Sequence, residues 1–227
     1  MSSPSSPVLA RISSGRAVVE GLLDIPPNPA GVVLFAHGSG SSRHSPRNNY
    51  VAGVLRKSGT GTLLMDLLTP TEDEDTAARF DIGLLTERLV DAVGWLRNLP
   101  SAGRLPLGLF GASTGAAAAL EAAAILGPEI GAVVSRGGRP DMARPRSLAQ
   151  VSSPTLFLVG ALDTDVIEMN RQAFERLRCE KKMILIPGAT HLFEEPGTLE
   201  QVATLAAEWF TGHFSRPAEG RPRPHHP

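Results

Sequence analysis

Leu107-Gly-Leu-Phe-Gly-Ala-Ser-Thr-Gly-Ala-Ala-Ala-Ala-Leu120 decides the fold. Its opening run, Leu107 to Phe110, is short, apolar and bounded by glycine, and it predicts a buried strand. Small, helix-favouring residues from Ala116 to Ala124 follow. Between them, Gly111-Ala-Ser-Thr-Gly115 matches G-x-S-x-G, a pattern that presents a serine nucleophile on a tight strand-to-helix turn. Such a turn leaves no room for a Cβ two residues either side of the serine, and glycine also tolerates strained angles. The helix behind Ser113 would add unpaired N–H groups and a positive dipole end. A plain structural turn is the competing reading. A dinucleotide site is not: Gly108, Gly111 and Gly115 lack the G-x-G-x-x-G spacing, and the next apolar run ends in Ser135, where no acid stands.

The flanking sequence repeats the alternation of strand and helix. Upstream, Ala17–Leu23 predicts an edge strand or hairpin, and Gly31–Ala36 a strand buried on both faces. Pro46 opens a helix to about Lys57, and Thr62–Met65 is a further strand. The acidic stretch Thr69–Asp75 reads as a solvated loop leading into a helix with Phe80, Leu85, Leu89, Val93 and Leu96 on one face. Downstream, strands are expected at Gly131–Ser135, Thr155–Val159 and Met183–Ile186. Helices are expected around Ile167–Leu177 and Leu199–Trp209. This order predicts an α/β fold with a mostly parallel, doubly wound sheet and helices on both faces. No insertion is long enough for a lid domain.

Composition bounds the partners. The chain has 227 residues and a formal net charge of −1, which suits one domain and a small-molecule site and gives no sign of nucleic acid. Residues 1–16 are expected to be a flexible N-terminus, 17–214 the domain, and 215–227 a disordered Pro-rich basic tail. The histidines of that tail, His225 and His226, are read as solvated. Neither a signal peptide nor a membrane span is legible, and Cys179 is the single cysteine, so a cytoplasmic location is expected.

A serine nucleophile needs a base, and the base an orienting acid. His191 follows the last strand directly, at the sheet end where active-site residues collect. His213 ends the last helix. Asp163 and Asp165 both follow the strand Thr155–Val159; Asp163 has the better spacing, while Asp165 could cap the next helix. The oxyanion hole would draw one amide from Thr114 and one from the glycine-rich loop after His37, with Ser39 preferred and Gly40 second. His37 precedes the nucleophile and is expected to order that loop. Arg136 and Arg139 follow a strand end; they would bind a substrate carboxylate or phosphate, or else pair with local acids such as Asp141 or Glu72. Arg43 and His44, near the oxyanion loop, have a weaker claim of the same kind. A metal site at Asp73, Glu74 and Asp75 would need ligands from elsewhere.

His37-Gly-Ser-Gly40, Gly111-Ala-Ser-Thr-Gly115, Gly160-Ala-Leu-Asp163 and Gly188-Ala-Thr-His191 together resemble the α/β-hydrolase superfamily over roughly residues 17 to 212. The chain is similar in particular to the dienelactone-hydrolase-like branch, which is compact and lidless. The stretches Ala36–Asn48 and Ser135–Asp141 resemble a bacterial subgroup whose members stand alone or are fused to a phosphoribosyltransferase domain. No second domain is expected in this chain. Dienelactone hydrolases proper have cysteine where this chain has Ser113. The resemblance therefore implies a general serine esterase, acting on a small ester, with no cofactor and no metal. Thioester, lactone or amide cleavage by the same triad is the alternative, as is a non-catalytic binding or regulatory module.

Overall fold

The computed structural model describes residues 7–215. In chain order the elements are β1 (Val8–Ser14), β2 (Ala17–Asp24), β3 (Val32–Ala36), α1 (Pro46–Lys57), β4 (Gly61–Met65), α2 (Pro70–Asp73), α3 (Thr76–Arg79) and α4 (Ile82–Arg97). There follow β5 (Leu107–Ala112), α5 (Thr114–Leu126), β6 (Ile130–Arg136), α6 (Pro145–Gln150), β7 (Thr155–Gly160), α7 (Thr164–Arg176), β8 (Lys181–Ile186) and α8 (Thr198–Phe214). One eight-stranded sheet runs β1-β2-β4-β3-β5-β6-β7-β8. The β1–β2 and β2–β4 pairs are antiparallel, and every later pair is parallel.

Neighbouring residues of the central strands enter opposite cores. Val33 and Phe35 of β3 pack with Val51 and Leu55 of α1 and with Val202 and Phe210 of α8. Leu34 and Ala36 belong to the other face, with Leu89 and Val93 of α4 and Leu120 of α5. Burial on both faces is why these strands read as unbroken apolar runs. The order of the strands brings the carboxyl ends of β3, β5, β6 and β7 side by side, so their following loops converge at one end of the sheet.

The structure departs from the sequence expectation in three places. Residues 8–14, expected within a flexible N-terminus over 1–16, form the edge strand β1, whose buried positions are Ala10, Ile12 and Ser14. The acidic stretch expected as a loop forms α2 and α3, because its acids and threonine serve as caps. Glu72 N–H donates to Thr69 Oγ1 (3.2 Å), Thr69 N–H donates to Glu72 Oε2 (2.8 Å), and Asp75 accepts from Ala77 N–H (2.8 Å). Asp73 pairs with Arg79 at 3.1 Å. Phe80 lies before α4 and is exposed. The tail expected over 215–227, with His225 and His226, lies outside the described residues beyond Ser215. Among the described residues no helix is long and apolar enough to cross a membrane.

The glycines of the central turn are required by contact. A Cβ on Gly115 would stand 2.3 Å from Ala36 O and 2.4 Å from His37 O; one on Gly111 would stand 2.4 Å from Ala116 Cα. Backbone cannot yield as a side-chain tip can. Gly115→Ala is therefore expected to destabilise the domain by more than about 3 kcal/mol, read as a lower urea midpoint at unchanged slope. An unchanged midpoint would mean that α5 and the end of β3 can separate freely.

Candidate active site

Ser113 sits at the N-cap of α5 with φ 49° and ψ −122°, a positive φ outside the region most side chains adopt. Strain of this kind costs about 1–3 kcal/mol and persists only where surroundings fix it. Here the Ser113 carbonyl accepts from the N–H groups of Ala116 and Arg139, each at 3.0 Å. The hydroxyl makes no capping bond, so the turn displays it without using it.

The loops after β7 and β8 meet beside it. Leu162 N–H donates to Ala189 O (3.0 Å), which ties them together. His191 Nδ1 lies 2.7 Å from Asp163 Oδ2. A carboxylate only accepts, so Nδ1 carries the proton and Nε2 keeps its lone pair. Asp163 occupies the N-cap position of α7 without capping it; its carboxylate serves the histidine instead. Asp165 is exposed in the first turn of α7, where the helix dipole favours a carboxylate. The histidine loop is held by Glu195, which accepts from Thr190 N–H (3.1 Å) and Thr190 Oγ1 (2.5 Å), and by the buried Phe193 at φ 55°. The Thr190 hydroxyl holds the Glu195 carboxyl below its ordinary range.

On the other side of Ser113 lies the loop after β3. His37 Nε2 accepts from Leu67 N–H (3.0 Å), so Nδ1 must donate to Gly38 O (2.9 Å). Burial pushes its pKa down, and the Gly38 bond only partly opposes this. His37 is thus a neutral strut with both ring nitrogens engaged. Ser39 N–H donates to Thr114 Oγ1 (2.9 Å). The two residues expected to form an oxyanion hole are therefore adjacent, with the Ser39 amide resting on the threonine hydroxyl. The Thr114 amide is the first N–H of α5 and has no intrahelical acceptor.

Ser113, His191, Ser39, Arg47, Asn48 and Arg136 line one cavity of about 240 Å³. A larger cavity of about 890 Å³ lies between the β1–β2 turn and α4 and includes none of Ser113, Asp163 and His191. Of its three arginines, Arg88 is already bonded to Glu72 and to Ser14 O, both at 2.7 Å. The smaller cavity is where the reactive groups converge.

No family model matches the chain. A crystal structure of dienelactone hydrolase from Anabaena variabilis is 52% identical, with TM-score 0.88, and the match covers 92% of this chain and 99% of that one. The chain belongs to the dienelactone hydrolase family. Est1E from Butyrivibrio proteoclasticus shares the fold at 16% identity and TM-score 0.78, over 92% of this chain and 99% of that one. Two Mycobacterium tuberculosis proteins whose names propose a phosphoribosyl transferase are 54% identical over 207 residues, covering 91% of this chain. The chain spans about half the length of these curated relatives, 46%. The structure accordingly has the α/β-hydrolase fold of dienelactone hydrolase, and among the described residues no lid is present.

Within this family member the basic residues divide sharply. Arg43 pairs with Asp66 and, at 2.8 Å, with Glu20, and it does not line the cavity beside Ser113. His44 is exposed. Gly40 borders a separate small hollow with His37 and Thr114. Arg139 is bidentate to Asp141 at 2.9 and 2.8 Å, a bond that raises its pKa. Only Arg136 of the four expected basic residues lines the cavity. It is 6% exposed, donates to Asn48 Oδ1 (3.1 Å), and lies 5.7 Å from the Phe193 ring centre. Burial, and then the nearby charge of Arg47, push its pKa down to about 10, so it is still a cation at neutral pH. Asn48, Arg47, Phe193 and Glu195 were not singled out from sequence. Asn48 and Arg47 follow the helix-opening Pro46, and only that position hinted at their nearness to a site.

Proposed function

We propose that the chain is a serine carboxylesterase that hydrolyses short-chain carboxylic esters through an acyl-enzyme. The observation that carries this reading is the 2.7 Å pairing of His191 with Asp163 beside a cavity that Ser113 also lines. His191 Nε2 takes the Ser113 proton as Oγ attacks the ester carbonyl. The oxyanion forms against the Thr114 amide and the Ser39 amide, which exchanges Thr114 Oγ1 for the substrate oxygen. Collapse expels the alcohol, which receives the proton from His191. Water, deprotonated by His191, then attacks the acyl-enzyme and releases the acid and Ser113. No step calls for a metal or an organic cofactor.

The cavity supports small substrates. Its volume of about 240 Å³ falls below the roughly 300–1,000 Å³ of pockets that hold drug-sized ligands. A p-nitrophenyl ester series from acetate to palmitate is expected to give the highest kcat/KM between acetate and butyrate. A maximum at palmitate would overturn the short-chain reading. A cytoplasmic setting belongs to the same proposal and rests on the single cysteine, Cys179.

A further inference from the structure

Asn170 stands in the middle of α7 and is fully buried. The position is costly for it in two ways. Asparagine is a poor residue for a helix interior, and here its Oδ1 is buried with no hydrogen-bond partner among the described residues. Its Nδ2, by contrast, is fully used. It donates to Val166 O (2.7 Å), one turn back on the same helix, and to Gly138 O (2.9 Å), on the loop after β6. Both partners are carbonyls, so only the NH₂ of the amide can face them.

The bond to Gly138 leads out of the helix to the nucleophile. Gly138 O and Arg139 N–H belong to one peptide unit. Its oxygen accepts from Asn170, and its N–H donates to Ser113 O at 3.0 Å. A planar peptide cannot turn one end without the other, so the Asn170 amide sets the direction of the N–H that reaches Ser113. A bond accepted at the carbonyl also polarises the unit and strengthens donation from its nitrogen. The loop that carries this peptide is packed against two further parts of the site. A Cβ on Gly138 would stand 2.7 Å from Ala116 Cβ of α5, and one on Gly137 would stand 3.1 Å from His191 O.

We infer that Asn170 is a positioning residue for Ser113. Through the Gly138–Arg139 peptide it holds the turn at φ 49° that displays the serine hydroxyl, and it ties that turn to α7, the helix that starts directly after Asp163. The nucleophile and the acid that orients its base are thereby set against each other by one bridge. Asn170 does not line the cavity, so it acts on the place of Oγ and not on the substrate. The inference rests on the reading of Ser113 as an esterase nucleophile.

The test compares the whole chain with Asn170→Leu, which is of similar size and donates nothing, and with Ser153→Ala. Ser153 is buried, and its Oγ donates to Ile130 O (2.9 Å) at the amino end of β6, so its loss removes a bond of the same kind away from Ser113. Asn170→Leu is expected to lower kcat for p-nitrophenyl acetate about 10- to 100-fold with KM within about twofold, the scale of a 1 Å misplacement of a reacting group. It should slow by the same factor the attack of Ser113 Oγ on diethyl p-nitrophenyl phosphate, read as one equivalent of p-nitrophenolate released. Should Asn170→Leu fail to fold, Asn170→Ser is read in its place: its hydroxyl can donate to Val166 O but is one atom too short for Gly138 O, and the same loss is expected. Ser153→Ala should lower the unfolding midpoint and leave kcat within about twofold. An unchanged kcat in the Asn170 variant, a loss that falls on KM, or a comparable loss in Ser153→Ala overturns the assignment. If wild type neither hydrolyses an ester nor takes up the phosphoryl group, the esterase reading fails separately. Hydrogen exchange at the Arg139 amide then decides the bridge: it is expected to be at least about tenfold faster in Asn170→Ser than in wild type, and equal protection overturns it.

Discussion

Ser113→Ala is expected to lower kcat for p-nitrophenyl acetate by about 10⁵- to 10⁶-fold while leaving the unfolding midpoint nearly unchanged. The two halves of that result have separate causes. Activity falls because no other group presents an activated oxygen to the carbonyl: His37 has both ring nitrogens engaged, and Ser39 offers its amide, not a base-paired hydroxyl. Stability holds because the Ser113 hydroxyl makes no capping bond and the strained φ of 49° is imposed by backbone contacts that alanine keeps. Alanine has the same Cβ, so the strain is neither relieved nor increased. What survives would come from the oxyanion amides and from binding alone. The measurement is single-turnover or steady-state hydrolysis with purified variant, paired with thermal unfolding. Retention of more than about 1% of kcat would remove Ser113 as nucleophile, since loss of an attacking group cannot be made good at that level.

The central part of this protein is legible in its sequence because the signals there are local. The strand, the serine and the two glycines of the turn lie within nine residues; Gly111 answers the start of α5, which follows at once, and Gly115 answers the end of the neighbouring strand β3. His191 and Asp163 were legible because each follows its strand at once, and the sheet order brings those strand ends together. The edge strand β1 was not. Its inward residues, Ala10, Ile12 and Ser14, alternate with Leu9, Arg11 and Ser13, and all of that pattern but Leu9 and Ile12 is small or polar. A strand with one covered face leaves a weaker trace than β3, which is buried on both. The division among the arginines was illegible for a different reason. Arg136 and Arg139 stand three residues apart after the same strand, and their fates depend on what arrives from elsewhere. Arg139 finds Asp141 two residues on; Arg136 finds only Asn48, 88 residues away, and a ring from the histidine loop. Nothing local distinguishes a paired guanidinium from an unpaired one. Ser39 and Thr114 were both read as oxyanion-hole residues from sequence, but the bond between the Ser39 amide and the Thr114 hydroxyl, 75 residues apart, was not.

Asp163→Asn is expected to lower kcat by about 10⁴-fold, with KM little changed. The bond at stake is the 2.7 Å contact to His191 Nδ1. The carboxylate accepts there, which places the imidazole proton on Nδ1 and the lone pair on Nε2. An asparagine can turn its NH₂ to the same nitrogen, which favours the opposite tautomer and leaves Nε2 protonated, unable to take the proton of Ser113. It also removes the negative charge that stabilises the imidazolium once formed. Substrate contacts are untouched, so the loss belongs to kcat. The fold should tolerate the change: Asp163 stands at the N-cap position of α7 but makes no capping bond, and asparagine is as good an N-cap residue as aspartate. Asp165→Asn is the matched control, because Asp165 is exposed in the first turn of the same helix and should alter kcat by less than about twofold. The two substitutions change the same charge two residues apart, so a general effect of charge near the helix start would appear in both. A large loss with Asp165→Asn and a small one with Asp163→Asn would transfer the orienting role to Asp165 and require the loop after β7 to rearrange before catalysis. Equal, small losses would mean that His191 is oriented by its own loop, through Thr190, Glu195 and Phe193, without the help of an acid.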